Sequence, residues 1–157
     1  MGIKMIVVKE GNIFNGNEKI ICHQTNCLGI MGGGIALQVR NRYPEVYKKY
    51  SELCSLYKDR TERLMGNVQF VETNDGKIIA NCFGQNGIGN GVQTDYNDLY
   101  ECLKSVKTYA EEHLVTVSIP YNIGCGLAGG DWNIVSSMIE EIFGDSDVPC
   151  TIYQYKG

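Results

Sequence analysis

Two glycine-rich stretches carry the residue types best suited to chemistry in this chain. The first, residues 25 to 39, reads TNCLGIMGGGIALQV and sets Gly32, Gly33 and Gly34 directly before an apolar run with helical spacing; the second, residues 121 to 132, reads YNIGCGLAGGDW. Glycine loses more conformational freedom on folding than any other residue and adds no packing, so three in a row imply that a backbone must come very close to something. Main-chain N–H groups at a strand-to-helix turn, with the positive end of the helix dipole behind them, make a ready anion site. Two such turns facing each other would hold a diphosphate. Each amide aimed at a phosphate oxygen is a charge-assisted hydrogen bond worth about 1.5–3 kcal/mol, so about four or five suffice without a single arginine.

Two ionisable side chains flank these loops. An ordinary imidazole titrates near neutrality, so His23 is a candidate general acid or base, although a lone histidine closing an apolar strand also reads as a structural residue. Asp131 can orient a water or take a proton, or it can cap the helix that follows it. There is no GxxxxGK[ST], and Gly32, Gly33 and Gly34 are not followed by the third glycine of a GxGxxG dinucleotide fingerprint; the second loop carries a GxGxxGG pattern.

The elements that must position these residues follow from period and punctuation. KMIVVK and KIICHQ read as strands, and the glycines then open a helix in which Ile35, Ala36 and Val39 share a face. That helix ends near Tyr43, because the residue before Pro44 is pushed out of the α region, and Pro44 suits the first position of a second helix with Val46, Tyr50, Leu53 and Tyr57 on its inner side. NVQFVE and KIIANCF read as strands of a hairpin turned at Asn74, Asp75 and Gly76. In the loop after them Gly84, Gly87, Gly89 and Gly91 read as turn glycines. A helix capped by Thr94 or Asp95 carries Leu99, Leu103, Val106 and Ala110; VTVSIP is a strand; Val135, Met138, Ile139 and Ile142 line a last helix that Trp132 anchors; CTIYQY closes the chain as a strand. Alternation of strands and helices with one hairpin predicts an α/β fold: a three-layer α/β/α sandwich over a mixed central sheet, one domain spanning residues 1–157.

Composition sets the remaining bounds. With 157 residues, 43% hydrophobic and 20% charged, the chain can bury a real core. A formal charge of −4 with mixed acids and bases argues against a partner that is polymeric nucleic acid. Runs such as Met5 to Val8 are too short to span a bilayer and no signal peptide is evident, so a cytoplasmic address with no membrane partner is expected. The seven cysteines are scattered without a CxxC pair and read as reduced, small hydrophobes, and with His23 and His113 as the only histidines no metal is expected.

The ordered set VVKEGNIFN, HQTNCLGIMGGGIA and IPYNIGCGLAGGDW resembles the macrodomains, which bind ADP-ribose and its derivatives, along essentially the whole chain. It is most similar to the compact branch of ADP-ribose 1''-phosphate phosphatases and terminal ADP-ribose glycohydrolases. The resemblance implies that Asn12 and the amide of Ile13 recognise adenine, with Asn12 standing where most members carry Asp, and that Asn26 lies beside the distal ribose, where its amide both donates and accepts. It further implies that Gly32, Gly33, Gly34, Ile35 and Ala36 line one side of the diphosphate and Gly124, Cys125, Gly126, Leu127 and Ala128 the other, with Tyr153 or Tyr155 near adenine. No cofactor is implied. The glycohydrolase branch carries a lysine before the middle loop and an aspartate after GCGL; here the first region reads ANCFGQNG and the second position is Ala128.

Two functions follow as expectations: a hydrolase acting at the distal ribose of an ADP-ribose derivative (the 1''-phosphate, an acetyl ester or an ADP-ribosyl protein) with His23, Asn26 and Asp131 as its reactive residues, or a non-catalytic reader of free or protein-linked ADP-ribose. A Rossmann-type redox enzyme ranks far below, since Glu52 has the spacing of a ribose partner but falls in a helix.

Overall fold

The computed structural model describes residues 6–156. In chain order it contains strand β1 (Ile6–Glu10), strand β2 (Ile20–Thr25), helix α1 (Gly34–Arg42), helix α2 (Pro44–Leu56), strands β3 (Val68–Glu72) and β4 (Ile78–Phe83), helix α3 (Tyr96–His113), strand β5 (Val117–Pro120), helix α4 (Trp132–Phe143) and strand β6 (Cys150–Gln154). Lys4 and Met5, which the sequence assigns to the first strand, lie outside the described residues.

Local chemistry accounts for the helix boundaries. Tyr43 separates α1 from α2, and Pro44 begins α2 where its missing N–H costs nothing. Asp95 caps α3 by accepting from the amide of Asp98 at 3.0 Å, and Asp131 caps α4 by accepting from Asn133 at 2.9 Å. The β3–β4 hairpin turns at Gly76, whose φ of 86° favours glycine.

The sheet runs β1-β6-β5-β2-β4-β3, parallel throughout except for the antiparallel β3–β4 pair. Strand β4 is buried along its whole length because helices cover both faces. Ile78, Ala80 and Cys82 point to the core under α3 and α4, whereas Ile79 and Phe83 point to the core under α1 and α2. This is the three-layer α/β/α sandwich with a mixed sheet.

Four residues expected on inner helix faces sit further out, Leu53 in α2 and Tyr57 at its end being only half-buried. Met138 is half-buried, and Trp132 is half-buried against Tyr121 with ring centroids 4.6 Å apart, so Val135, Ile139, Ile142 and Phe143 anchor α4 instead. All seven cysteines are free thiols, six buried and Cys125 half-buried. Among the described residues no helix is long and apolar enough to cross a membrane.

Strands β2 and β5 are parallel neighbours, Ile20 beside Val117 and Ile21 beside Ser118. Beyond its last residue β2 feeds α1 on one face, while β5 feeds α4 on the other. The two glycine loops therefore part in opposite directions from adjacent strand ends, which opens a crevice at a topological switch point.

Candidate functional site

That crevice is a cavity of about 680 Å³. One wall is Asn26, Ile30 and residues 32–36; the other is residues 120–124 with Gly126, Leu127 and Ala128; His23, Gln24 and Thr25 from the end of β2 also line it, as do Gln85, Ile88, Gly89 and Gln93 of the loop after β4. A smaller lobe of about 290 Å³, with Asn12, Ile13, Tyr153 and Tyr155, shares Gly34, Ile35, Pro120, Tyr121 and Asn122 with the first. Among the described residues no Asp, Glu, Lys or Arg lines either lobe.

Main-chain donors take the place of charged side chains. Helix α1 has no side-chain cap at Gly33, so its first-turn N–H groups are unoccupied and front the cavity. In the second loop, by contrast, Cys125 donates to Asn122 O at 2.8 Å, Gly129 to Gly126 O at 3.1 Å and Gly130 to Gly124 O at 2.9 Å. Among the described residues the amides of Gly32, Gly33, Gly34, Ile35 and Ala36 and those of Gly126, Leu127 and Ala128 have no such partner. Cys125 holds the loop together and does not line the cavity.

The three consecutive glycines answer different demands. Gly34 adopts φ 56°, a left-handed backbone. Gly33 is extended, but a Cβ there would stand 2.9 Å from Leu127 Cδ1, where the second loop crosses over the first. Gly32 has ordinary room for a side chain.

Asn26 lines the cavity, yet most of its amide organises its own loop. Its Oδ1 accepts from the amides of Leu28 at 3.0 Å and Ile30 at 3.3 Å and lies 2.8 Å from the Tyr50 hydroxyl, while its Nδ2 donates to Ile30 O at 2.8 Å. One N–H of that amide is left over. Asn12 in the smaller lobe is similarly engaged, accepting from Phe14 N at 3.0 Å as the cap of a short 3-10 turn, Ile13–Asn15.

His23 is 2% exposed, and its Nε2 sits 2.6 Å from Asn81 Oδ1. Burial pushes its pKa down to about 4, against the smaller opposing pull of the Asn81 hydrogen bond, so the ring is neutral at pH 7. Its Nδ1 is buried and without a partner, as is the hydroxyl of Thr25 two residues along the same strand face. Asp131 does not join them: it is exposed, engaged with α4, and lines neither lobe. Tyr153 bonds Glu18 at 2.7 Å, and Tyr155 lies exposed beyond the end of β6.

The loop after β4 closes one side. Gln24 Nε2 donates to Gln85 Oε1 and to Thr94 Oγ1, both at 2.9 Å, Thr94 donates to Gly124 O at 2.5 Å, and Gln93 N donates to Ala128 O at 2.7 Å. Sequence reading left Gln24, Gln85, Gln93 and Tyr50 out of the site. The one available signal was Asn81, a polar residue inside the apolar run IIANCF.

Residues 22–139 match the Macro domain family, and the chain belongs to it. Among curated proteins it is 29% identical to a DNA ADP-ribosyl glycohydrolase of Mycobacterium tuberculosis over 98% of its length but only 43% of that protein's, so the chain spans less than half of that relative. It is 28% identical to an ADP-ribose 1''-phosphate phosphatase of Saccharomyces cerevisiae, covering 95% of this chain and 98% of the yeast protein. Among solved structures, the macrodomain of Mycobacterium tuberculosis DarG superposes with a TM-score of 0.82 at 28% identity, over 96% of this chain and 97% of that one.

Proposed function

We propose that this chain binds ADP-ribose across the switch-point cavity and hydrolyses an ADP-ribose derivative at the distal ribose. The observation that carries the reading is the meeting of unoccupied amides from residues 32–36 and 126–128 across a cavity with no charged side chain, a chemistry matched to a diphosphate. Adenine goes to the smaller lobe beside Asn12 and Ile13, the diphosphate lies between the loops, and the distal ribose reaches Asn26 and His23. An ADP-ribosylated protein presents the same group. The unpaired thiols suit a cytoplasmic setting.

Of the candidate substrates the 1''-phosphate ester fits best. The lysine and aspartate of the glycohydrolase branch are missing, the former region reading FGQNG and the latter position being Ala128, whereas His23 presents a neutral ring. Water adds to phosphorus and the P–O bond to the distal ribose breaks; His23 Nδ1 takes a proton from the water and returns it to the departing ribose oxygen, so that phosphate and ADP-ribose leave with the ring neutral again. A phosphate dianion beside the ring favours the imidazolium and so raises the basicity that burial lowers.

The lack of any carboxylate in the cavity favours a second reading, a module that recognises ADP-ribose without turning it over. Calorimetric titration with ADP-ribose tests the binding shared by both. Incubation with the 1''-phosphate, the acetyl ester and an ADP-ribosyl protein then separates them: hydrolysis lost in His23→Ala supports the enzyme, and saturable binding with no product from any of the three leaves only the reader.

A further inference from the structure

His23, Asn81 and Gln69 stand directly beside one another on three neighbouring strands, His23 paired in register with Asn81 and Asn81 with Gln69. All three project to the α1/α2 face of the sheet, the face that also receives Ile21, Ile79 and Val71. Their side chains bond in sequence. Gln69 Nε2 donates to the main-chain carbonyl of Lys49 in α2 at 3.2 Å, Asn81 Nδ2 donates to Gln69 Oε1 at 3.1 Å, and Asn81 Oδ1 faces His23 Nε2 at 2.6 Å.

The direction of this ladder is fixed at its outer end. A main-chain carbonyl only accepts, so the amide of Gln69 must turn its NH2 toward Lys49 and its oxygen toward Asn81. Asn81 must then turn its NH2 toward Gln69 and its oxygen toward the ring. An amide oxygen only accepts, so the ring nitrogen it meets carries the proton, and a neutral imidazole with the proton on Nε2 has a bare lone pair on Nδ1. Asn81 is fully buried, which leaves no water to compete for its amide.

We infer that Asn81 and Gln69 are positioning residues that hold His23 in the Nε2–H tautomer, so that Nδ1 is offered as an acceptor for one hydroxyl, of a sugar or of the attacking water. The inference rests on the proposed cavity site for its purpose but not for its test. Thr25 Oγ1, equally buried and unpartnered on the same strand face, supplies the second polar atom at that place.

Long-range proton–nitrogen correlation spectra of uniformly labelled protein report which ring nitrogen of His23 is protonated, with His113→Gln removing the other histidine. The wild type is expected to show Nε2–H at neutral pH; Nδ1–H or a charged ring overturns the inference. Gln69 lies on the edge strand, so Gln69→Leu cuts the ladder with less risk to folding than a change at buried Asn81. It frees the Asn81 amide to turn over, and a mixture of both tautomers is expected; a folded Gln69→Leu protein with an unchanged tautomer overturns it. Gln69→Glu restores an acceptor and should restore the single tautomer. In turnover of the 1''-phosphate, Gln69→Leu should lower kcat about tenfold or more with little change in KM, and Gln69→Glu should recover it. Should the wild type turn over nothing, the hydrolytic reading fails while the spectra still decide the ladder.

Discussion

The hydroxyl of Tyr50 lies 2.8 Å from the side-chain oxygen of Asn26 and 2.8 Å from its main-chain carbonyl, so the first glycine loop is held by a residue of α2 and not by the loop alone. Tyr47, one turn earlier on the same helix, adds a bond to Gly29 O at 3.3 Å. The helix that packs beneath the loop thus also sets its shape.

Tyr50→Phe should therefore act on ligand and stability together. Removing the hydroxyl leaves a buried Asn26 oxygen short of a partner, a loss of about 1–3 kcal/mol. Urea denaturation should register that loss, and ADP-ribose titration should show weaker binding than in a Tyr47→Phe control. Full-strength binding by a destabilised Tyr50→Phe protein would mean that the loop keeps its shape without this anchor.

His23 ties stability to pH. The unfolded chain takes up a proton near the ordinary histidine value of 6.5, the folded chain only near 4. Between those values the unfolded state binds more protons, so stability rises with pH across the window, is fully present above it, and is lost as pH falls toward 4. The difference amounts to roughly 3 kcal/mol. His23→Gln keeps a donor for Asn81 but cannot titrate, and denaturation at a series of pH values should show a flatter slope between 6.5 and 4 by close to one proton.

Gly34 and Gly130 separate backbone conformation from contact. A Cβ on Gly34 meets nothing within 4 Å, so Gly34→Ala should cost about 1–2 kcal/mol through its left-handed φ alone, with some loss of ADP-ribose affinity as the first turn of α1 shifts. On Gly130 a Cβ would stand 2.6 Å from Gly124 O, so Gly130→Ala must displace the second loop and should weaken binding more. Titrating both variants beside thermal melts checks the ranking.

Salt should matter little. Proteins that neutralise phosphates with Lys and Arg lose affinity by orders of magnitude between about 50 and 200 mM salt. Among the described residues no cation lines the cavity, and ADP-ribose affinity across that range should move by less than about threefold. A steep dependence would place basic side chains, not amides, at the diphosphate.

Much of this arrangement was legible along the chain because its causes are local. Pro44 at a helix start, Asp95 and Asp131 as caps, the Gly76 turn and the two glycine loops each act within a few residues of themselves. Long-range register was not legible. Nothing in KIICHQ or KIIANCF says that His23 will lie beside Asn81, or that β5 will lie beside β2 so that the two loops meet. The same limit explains Cys125 and Asp131: their place in the motif was evident, but whether an amide turns into its own loop or a carboxylate into its own helix is decided by the fold around it.

The crevice between β2 and β5 has one bank belonging to each helical layer, and each layer packs on its own side of the sheet. An occupant seated there works as a keystone between two half-structures packed on opposite sides of the strands. Saturating nucleotide should slow amide hydrogen exchange in α1 and α4 alike, and should raise the melting temperature in step with the logarithm of its concentration.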